Sequence, residues 1–192
     1  MSNRQIEQTN SQALLITYCK LQILNHLTLS LSMPSIHLTT FIAAPVNLVF
    51  DLARSIDLHK ASMEASKERA VAGTTSGLIN ENETVTWEAK HFFKLRQLTS
   101  KITSMKSPDS FVDEMIKGDF KSYRHEQHFK VIENGTIMID LVEFETPYGS
   151  LGRLVNRFYM IAYMEKLIKE RNNTIKEYAE SEKGKTILSG KR

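Results

Sequence analysis

Asp113, His125, Gln127 and Asp140 are the residues whose types and spacing admit chemistry. A carboxylate beside an imidazole makes an acid–base pair, because histidine changes charge near neutrality and the carboxylate orients its ring. Two turn signals bring these groups onto one sheet face. Asn134-Gly135 reads as a two-residue type I′ turn, pairing Val131 with Met138, Phe129 with Asp140, Gln127 with Val142 and His125 with Phe144. A turn centred on Asp119 sets Asp113 opposite His125 and Met115 opposite Tyr123. The face would then also carry Tyr123, Phe129, Met138, Val142 and Phe144, with Arg124, Glu126, His128, Lys130 and Glu143 turned to solvent. On an earlier strand Val85, Trp87, Ala89 and His91 alternate with Thr86, Glu88 and Lys90. The plainer reading of Asp113 with His125 is a buried polar pair that fixes strand register. For Asp140 the plainer reading is a hydrogen-bond partner for a loop or a water.

Other chemistries find no footing. The six histidines lack metal spacing, and His125 and His128, three apart on a strand, point to opposite faces. No metal and no cofactor is expected. Gly184-Lys185-Thr186 mimics the end of a phosphate-binding loop but lacks the earlier glycine and the strand before it. A net charge of +3, with its Lys and Arg scattered, argues for a solvated surface and against a nucleic-acid partner. The single cysteine, Cys19, rules out an internal disulfide and fits a reducing, cytoplasmic setting.

The elements that must position these residues follow from periodicity. Residues 146–181 open with a Pro/Gly turn cluster and continue as a helix, with Leu151, Leu154, Val155, Phe158, Ile161, Ala162, Leu167, Ile168, Ile175 and Tyr178/Ala179 on one side. At about 1.5 Å per residue this is a rod of ~45 Å, and its wide apolar face needs a broad partner. Ahead of it lie a strand over Ser35–Ala43, a helix opened by Pro45 in its first turn, and a second helix from Asp57 to about Lys67. Six strands follow over Ala70–Thr75, Thr84–Phe92, Leu98–Met105, Phe111–Lys117, Tyr123–Ile132 and Thr136–Phe144, joined by short turns that imply an antiparallel meander. Residues 1–34 read as an N-terminal extension with Met33 as the start of the domain proper. Residues 13–32 are too polar for a membrane span, with Leu14, Leu15, Tyr18, Leu21 and Leu24 along one side of a possible amphipathic helix. Residues 35–181 form the domain, and 182–192 a basic tail.

Taken together, Phe41-Ile-Ala-Ala-Pro45 with Val49-Phe50, Glu83-Thr-Val-Thr-Trp87, Phe111-Val-Asp-Glu-Met115, His125 to Phe129, Asp140, Pro147-Tyr-Gly-Ser-Leu-Gly152 and Arg171-Asn172 resemble the START-like, or SRPBCC, superfamily. Within it the chain is similar to stand-alone bacterial ligand-binding proteins of the polyketide cyclase/dehydrase-like group. The resemblance covers about Ser35 to Ser181. It implies an α+β helix-grip fold: a curved antiparallel sheet of about seven strands wrapped around a long C-terminal helix, with two short helices after strand 1. Where relatives often show His-x-His, this chain has His125-Glu126-Gln127, which puts in doubt any role needing both histidines.

An inner face with apolar walls and a few converging polar groups is the usual make-up of a small-molecule pocket. The expected function is binding, for transport or sensing, of a small hydrophobic or amphipathic molecule between sheet and helix. Its expected contacts are Trp87, Asp113, Met115, Tyr123, His125, Gln127, Asp140, Val142, Phe144 and Phe158, reached near the loop after the second helix and the Pro147–Gly152 turn. Two alternatives stand beside it. One is a cyclase- or dehydratase-type enzyme using His125 and Asp113, although no nucleophile or oxyanion-hole motif is visible. The other is a regulatory interaction protein whose cavity is vestigial.

Overall fold

The computed structural model describes residues 35–63, 67–91, 94–147 and 150–190, with side chains for all of these except 91 and 150–158. Strand β1 (Ser35–Ile42) leads into two short helices, α1 (Val46–Ala53) and α2 (Ile56–Ser62). Six strands come next: β2 (Arg69–Gly73), β3 (Thr84–His91), β4 (Lys94–Lys106), β5 (Ser110–Lys117), β6 (Ser122–Ile132) and β7 (Gly135–Glu145). The long helix α3 (Ser150–Ala179) and the short α4 (Lys183–Leu188) close the chain. Short turns leave β2 to β7 only antiparallel neighbours, whereas β1, separated from them by two helices, adds to the far edge beside β7. The order is β1-β7-β6-β5-β4-β3-β2, antiparallel throughout. Bulges in the β2–β3 and β4–β5 pairings bend and twist the strands, which gives the sheet its curve.

The core forms where α1 and α3 cover the concave face. Phe50 of α1 meets Phe111 and Phe129 edge-on at 5.7 and 5.3 Å, an arrangement aromatic quadrupoles favour. Thr136 hides its hydroxyl by donating to the Ala44 carbonyl oxygen at 2.8 Å, which pins the β1–α1 loop to β7. Ser55 caps α2 by accepting from the Leu58 amide.

Several boundaries differ from expectation. Pro45 is the cap of α1, just outside the helix. Helix α2 ends at Ser62, short of Lys67. Residues 182–192, expected as a tail, contain α4, whose Ile187 and Leu188 pack on the core. The division at 1–34 lies outside the described residues.

The β6–β7 turn is also corrected. Ile132 pairs with Gly135, so Glu133-Asn134 is the loop, and Val131 faces Thr136, Phe129 Met138, Gln127 Asp140 and His125 Val142. A type I′ turn needs positive φ at both central residues, but the described non-glycine residues with positive φ are Lys67 and Asn82. Gly135 is required for a different reason: its φ is +152°, and a Cβ there would lie 2.2 Å from the Ile42 carbonyl oxygen. The register moves by two residues, and because side chains alternate with period two, the inner set stays inside. His125, Gln127, Phe129, Met138, Asp140, Val142 and Phe144 are all buried.

Candidate functional site

On α3 the buried stripe runs through Ile168, Asn172, Ile175 and Ala179. Nearer its N-terminus, Met160, Tyr163, Met164 and Leu167 are only half-buried, and Ala162, expected on the apolar side, is exposed. The C-terminal half is tied down: Lys176 donates to the Phe41 carbonyl oxygen at 2.9 Å, and Glu180 accepts the Ala43 amide at 2.8 Å. In the other half Met160, Ile161 and Met164 pack against the Ile36, Val142, Phe144 and Ile168 cluster, and a cavity of about 420 Å³ opens beside them. Trp87, Phe111, Asp113, Tyr123, His125 and Gln127 line it from the sheet. Met160, Tyr163, Met164, Leu167 and Arg171 line it from α3, and His59 and Met63 from the α2 side. Tyr159, 61% exposed, and the Arg96–Asp119 ion pair lie where it reaches the surface.

One network of hydrogen bonds joins the sheet to α3. Asp140, fully buried, accepts from His125 Nε2 at 2.9 Å and Gln127 Nε2 at 2.7 Å on Oδ1, and from Asn172 Nδ2 at 2.6 Å on Oδ2. Gln127 Oε1 accepts from Arg171 Nη1 at 3.2 Å, and the other end of that guanidinium donates to the Ala53 carbonyl oxygen on α1. Burial alone would raise the Asp140 carboxyl. The His125 hydrogen bond and charge, Arg171 and Asn172 together outweigh it and hold the group below the usual carboxylate range. His125 is thereby oriented at the cavity wall by Asp140, its diagonal neighbour across the β6–β7 pair.

Asp113 takes no part in that network. It faces His125 across β5–β6 as the sequence spacing predicts, yet no hydrogen bond joins them, because Asp140 holds the ring. Its Oδ1 has no hydrogen-bond partner, and neither does the neighbouring Ser100 hydroxyl. Burial pushes the Asp113 carboxyl above its ordinary range, partly offset by Ser100, His125, Arg171 and His59. Tyr123 is also raised, first by burial and then by the Asp113 charge. Trp87 stacks on His59 with ring centroids 4.0 Å apart.

Of the residues expected to meet a ligand, Trp87, Asp113, Tyr123, His125 and Gln127 line the cavity. Asp140 sits behind His125 and Gln127, one layer further in. Val142 and Phe144 belong to a separate core cluster with Ile36 and Ile168. Met115 lies near Gly118 and Leu98 and does not itself line the cavity. The side chain of Phe158 falls outside the described residues, as do positions 148 and 149 of the expected access turn; Thr146 and Pro147 border the cavity. The proposed acid–base pairing of Asp113 with His125 is not made. Sequence reading missed Arg171 and Asn172 as site residues, although Asn172 sits four residues from Ile168 and three from Ile175 and so continues the apolar stripe. Among the described residues no cluster of side chains could hold a metal ion, and no helix is long and apolar enough to cross a membrane.

No family model matches the chain, and no curated protein matches it in sequence. Solved structures do share its fold. An aromatase/cyclase from Streptomyces sp. R1128 is 13% identical over 78% of this chain and 94% of its own, with a TM-score of 0.62. A protein from Thermus thermophilus is 18% identical over 74% and 97%, with a TM-score of 0.59. A major latex-like protein from Panax ginseng is 12% identical over 76% and 96%, with a TM-score of 0.56. The curved seven-stranded sheet gripping a long C-terminal helix is thus the START-like, SRPBCC helix-grip fold.

Proposed function

We propose that this chain binds a small hydrophobic or amphipathic molecule in the cavity between its sheet and α3, for carriage or sensing, with residues 35–181 as the binding domain. The observation that carries this reading is the cavity itself. At about 420 Å³ it falls within the range of small-molecule sites, and aromatic and Met side chains form much of its wall. Burying apolar ligand surface contributes about 25 cal/mol per Å², and the half-buried Met160 and Met164 adapt to ligands of differing shape. The Asp140 network supports the reading, because it satisfies the sheet–helix junction without filling the space above it. Native mass spectrometry of the protein from its own source, with organic extraction of bound material, tests the proposal. A retained apolar or amphipathic mass is expected. A clean apo mass, together with failure to take up an apolar fluorophore, would overturn it.

A second reading is favoured by one observation: His125 lines the cavity and is held by a buried carboxylate at 2.9 Å, an arrangement suited to moving a proton. In that reading the chain is a cyclase- or dehydratase-type enzyme, with Asp140 in the orienting role that the sequence suggested for Asp113. The aromatase/cyclase among the solved structures of this fold lends it support. Turnover separates the two readings, since a binder returns its ligand unchanged.

A further inference from the structure

The described cations around the cavity each have a partner nearby, although His59 Nε2 and Arg96 Nε make no hydrogen bond. His125 is held by Asp140, and Arg171 by Gln127 and the Ala53 carbonyl. Arg54 is bonded to Asp51 and Asn80, and His59 stacks on Trp87 with Glu68 3.4 Å away. Arg96 is paired with Asp119 and keeps its Nε unpartnered. Against this background Asp113 stands apart. It is half-buried, it borders the cavity, and its Oδ1 is buried and receives no hydrogen bond. The Ser100 hydroxyl beside it, fully buried, offsets the burial of that carboxyl only in part, so Asp113 leaves an unsatisfied acceptor in the cavity wall next to Tyr123 and His125. Leaving such groups unpaired is costly, and a bound molecule that supplies a hydrogen removes the cost.

We propose that Asp113, with Ser100 beside it, is the head-group subsite of this cavity, and that it selects apolar ligands ending in a hydrogen-bond donor, a hydroxyl or a protonated amine, over ligands ending in a carboxylate. This rests on the binding reading above. An anionic end placed at Asp113 meets like charge, and the unpartnered nitrogens of the wall, His59 Nε2 and Arg96 Nε, belong to side chains that already face Glu68 and Asp119. Arg96 is the alternative place for such an anion, but Asp119 already neutralises its guanidinium. A donor end instead completes the Asp113 carboxylate with a charge-assisted hydrogen bond.

Calorimetric titration of the full chain with naphthalene, 2-naphthalenemethanol, 2-naphthalenemethylamine and 2-naphthoate tests the proposal. The alcohol or the amine is expected to bind about tenfold or more tighter than naphthalene and 2-naphthoate, the size of one hydrogen bond to a charged group. Preference for the amine would assign an ammonium to the ligand, and preference for the alcohol a neutral hydroxyl. In Asp113→Leu that advantage is expected to fall to parity while naphthalene still binds, which also shows that the variant is folded. Asp113→Asn, which both accepts and donates, is expected to narrow the gap between alcohol and naphthoate. Equal or tighter binding of 2-naphthoate to the wild type, or an unchanged donor preference in Asp113→Leu, would overturn the subsite while leaving the binding function standing. Failure of every probe, naphthalene included, would bring down the binding function and the subsite with it.

Discussion

Asn172 of α3 donates to Asp140 of β7 at 2.6 Å, and through this contact the long helix is tied to the one carboxylate that also holds His125 and Gln127. Three donors converge on a single buried acceptor, so the polar groups of two strands and a helix are satisfied together.

Removing the acceptor should therefore cost more than removing any one donor. Asp140→Ala strands the side chains of His125, Gln127 and Asn172, all three buried, and is expected to lower stability by about 3–5 kcal/mol. Asn172→Leu leaves one carboxylate oxygen unpaired and is expected to cost about 1–3 kcal/mol. Urea unfolding followed by circular dichroism measures both, and equal losses in the two variants would refute this account of the network.

The two inner-face aspartates should act oppositely on stability as pH changes. Asp140 has its folded-state pKa depressed, so its contribution is complete above the unfolded value near 3.8 and is lost as pH falls below that. Asp113 has its folded-state pKa raised, so the native state gains stability as pH falls through that raised value towards 3.8. Asp113→Asn is accordingly expected to raise the unfolding free energy at pH 7, by about 1–3 kcal/mol, and to lose that advantage near pH 4. Thermal unfolding of wild type and variant across pH 3.5–8 is the check, and a difference independent of pH would contradict it.

Filling the cavity should abolish binding and spare the fold. Met164 is half-buried on α3 and borders the space, so Met164→Trp has room to project into it. Uptake of an apolar fluorophore is expected to fall at least about tenfold, with the unfolding midpoint unchanged or raised. A variant that binds as well as the wild type would show that ligands sit elsewhere.

Gly135 should tolerate no side chain. Gly135→Ala places a Cβ against the Ile42 carbonyl oxygen at a φ that L residues rarely adopt, and a loss of about 1–3 kcal/mol is expected. If its role were only to permit a tight turn, Asn134→Ala would be expected to cost as much. Here Asn134→Ala should be nearly neutral, because Asn134 is exposed and has no positive φ.

Much of this architecture was legible in the residues because alternation is a strong local signal. Val85, Trp87 and Ala89 on β3, and His125, Gln127 and Phe129 on β6, announce their buried face by parity alone. A register error of two residues at Asn134-Gly135 did not disturb that assignment, because a slip of two returns every side chain to the same side. The order of one strand, two helices, six strands and a long helix was readable for the same reason, period two giving way to period 3.6 at the Pro147 turn.

Which polar group bonds which was not readable. Asp113 does lie opposite His125, yet the ring turns to Asp140 on the other neighbouring strand, a diagonal neighbour that starts about 2–3 Å further off than a direct one. Nor do the residues of α3 reveal where the helix presses on the sheet and where a cavity opens beside it. That was decided by contacts distant in sequence: Lys176 with Phe41 and Glu180 with Ala43 at one end of the helix, and Met160 and Met164 against Val142 and Phe144 nearer the other. Local pattern therefore determined the fold and its inner face. The cavity, and the Asp113 oxygen left unpaired at its wall, exist only once strands and helix meet, since both are properties of what neighbouring groups leave unfilled.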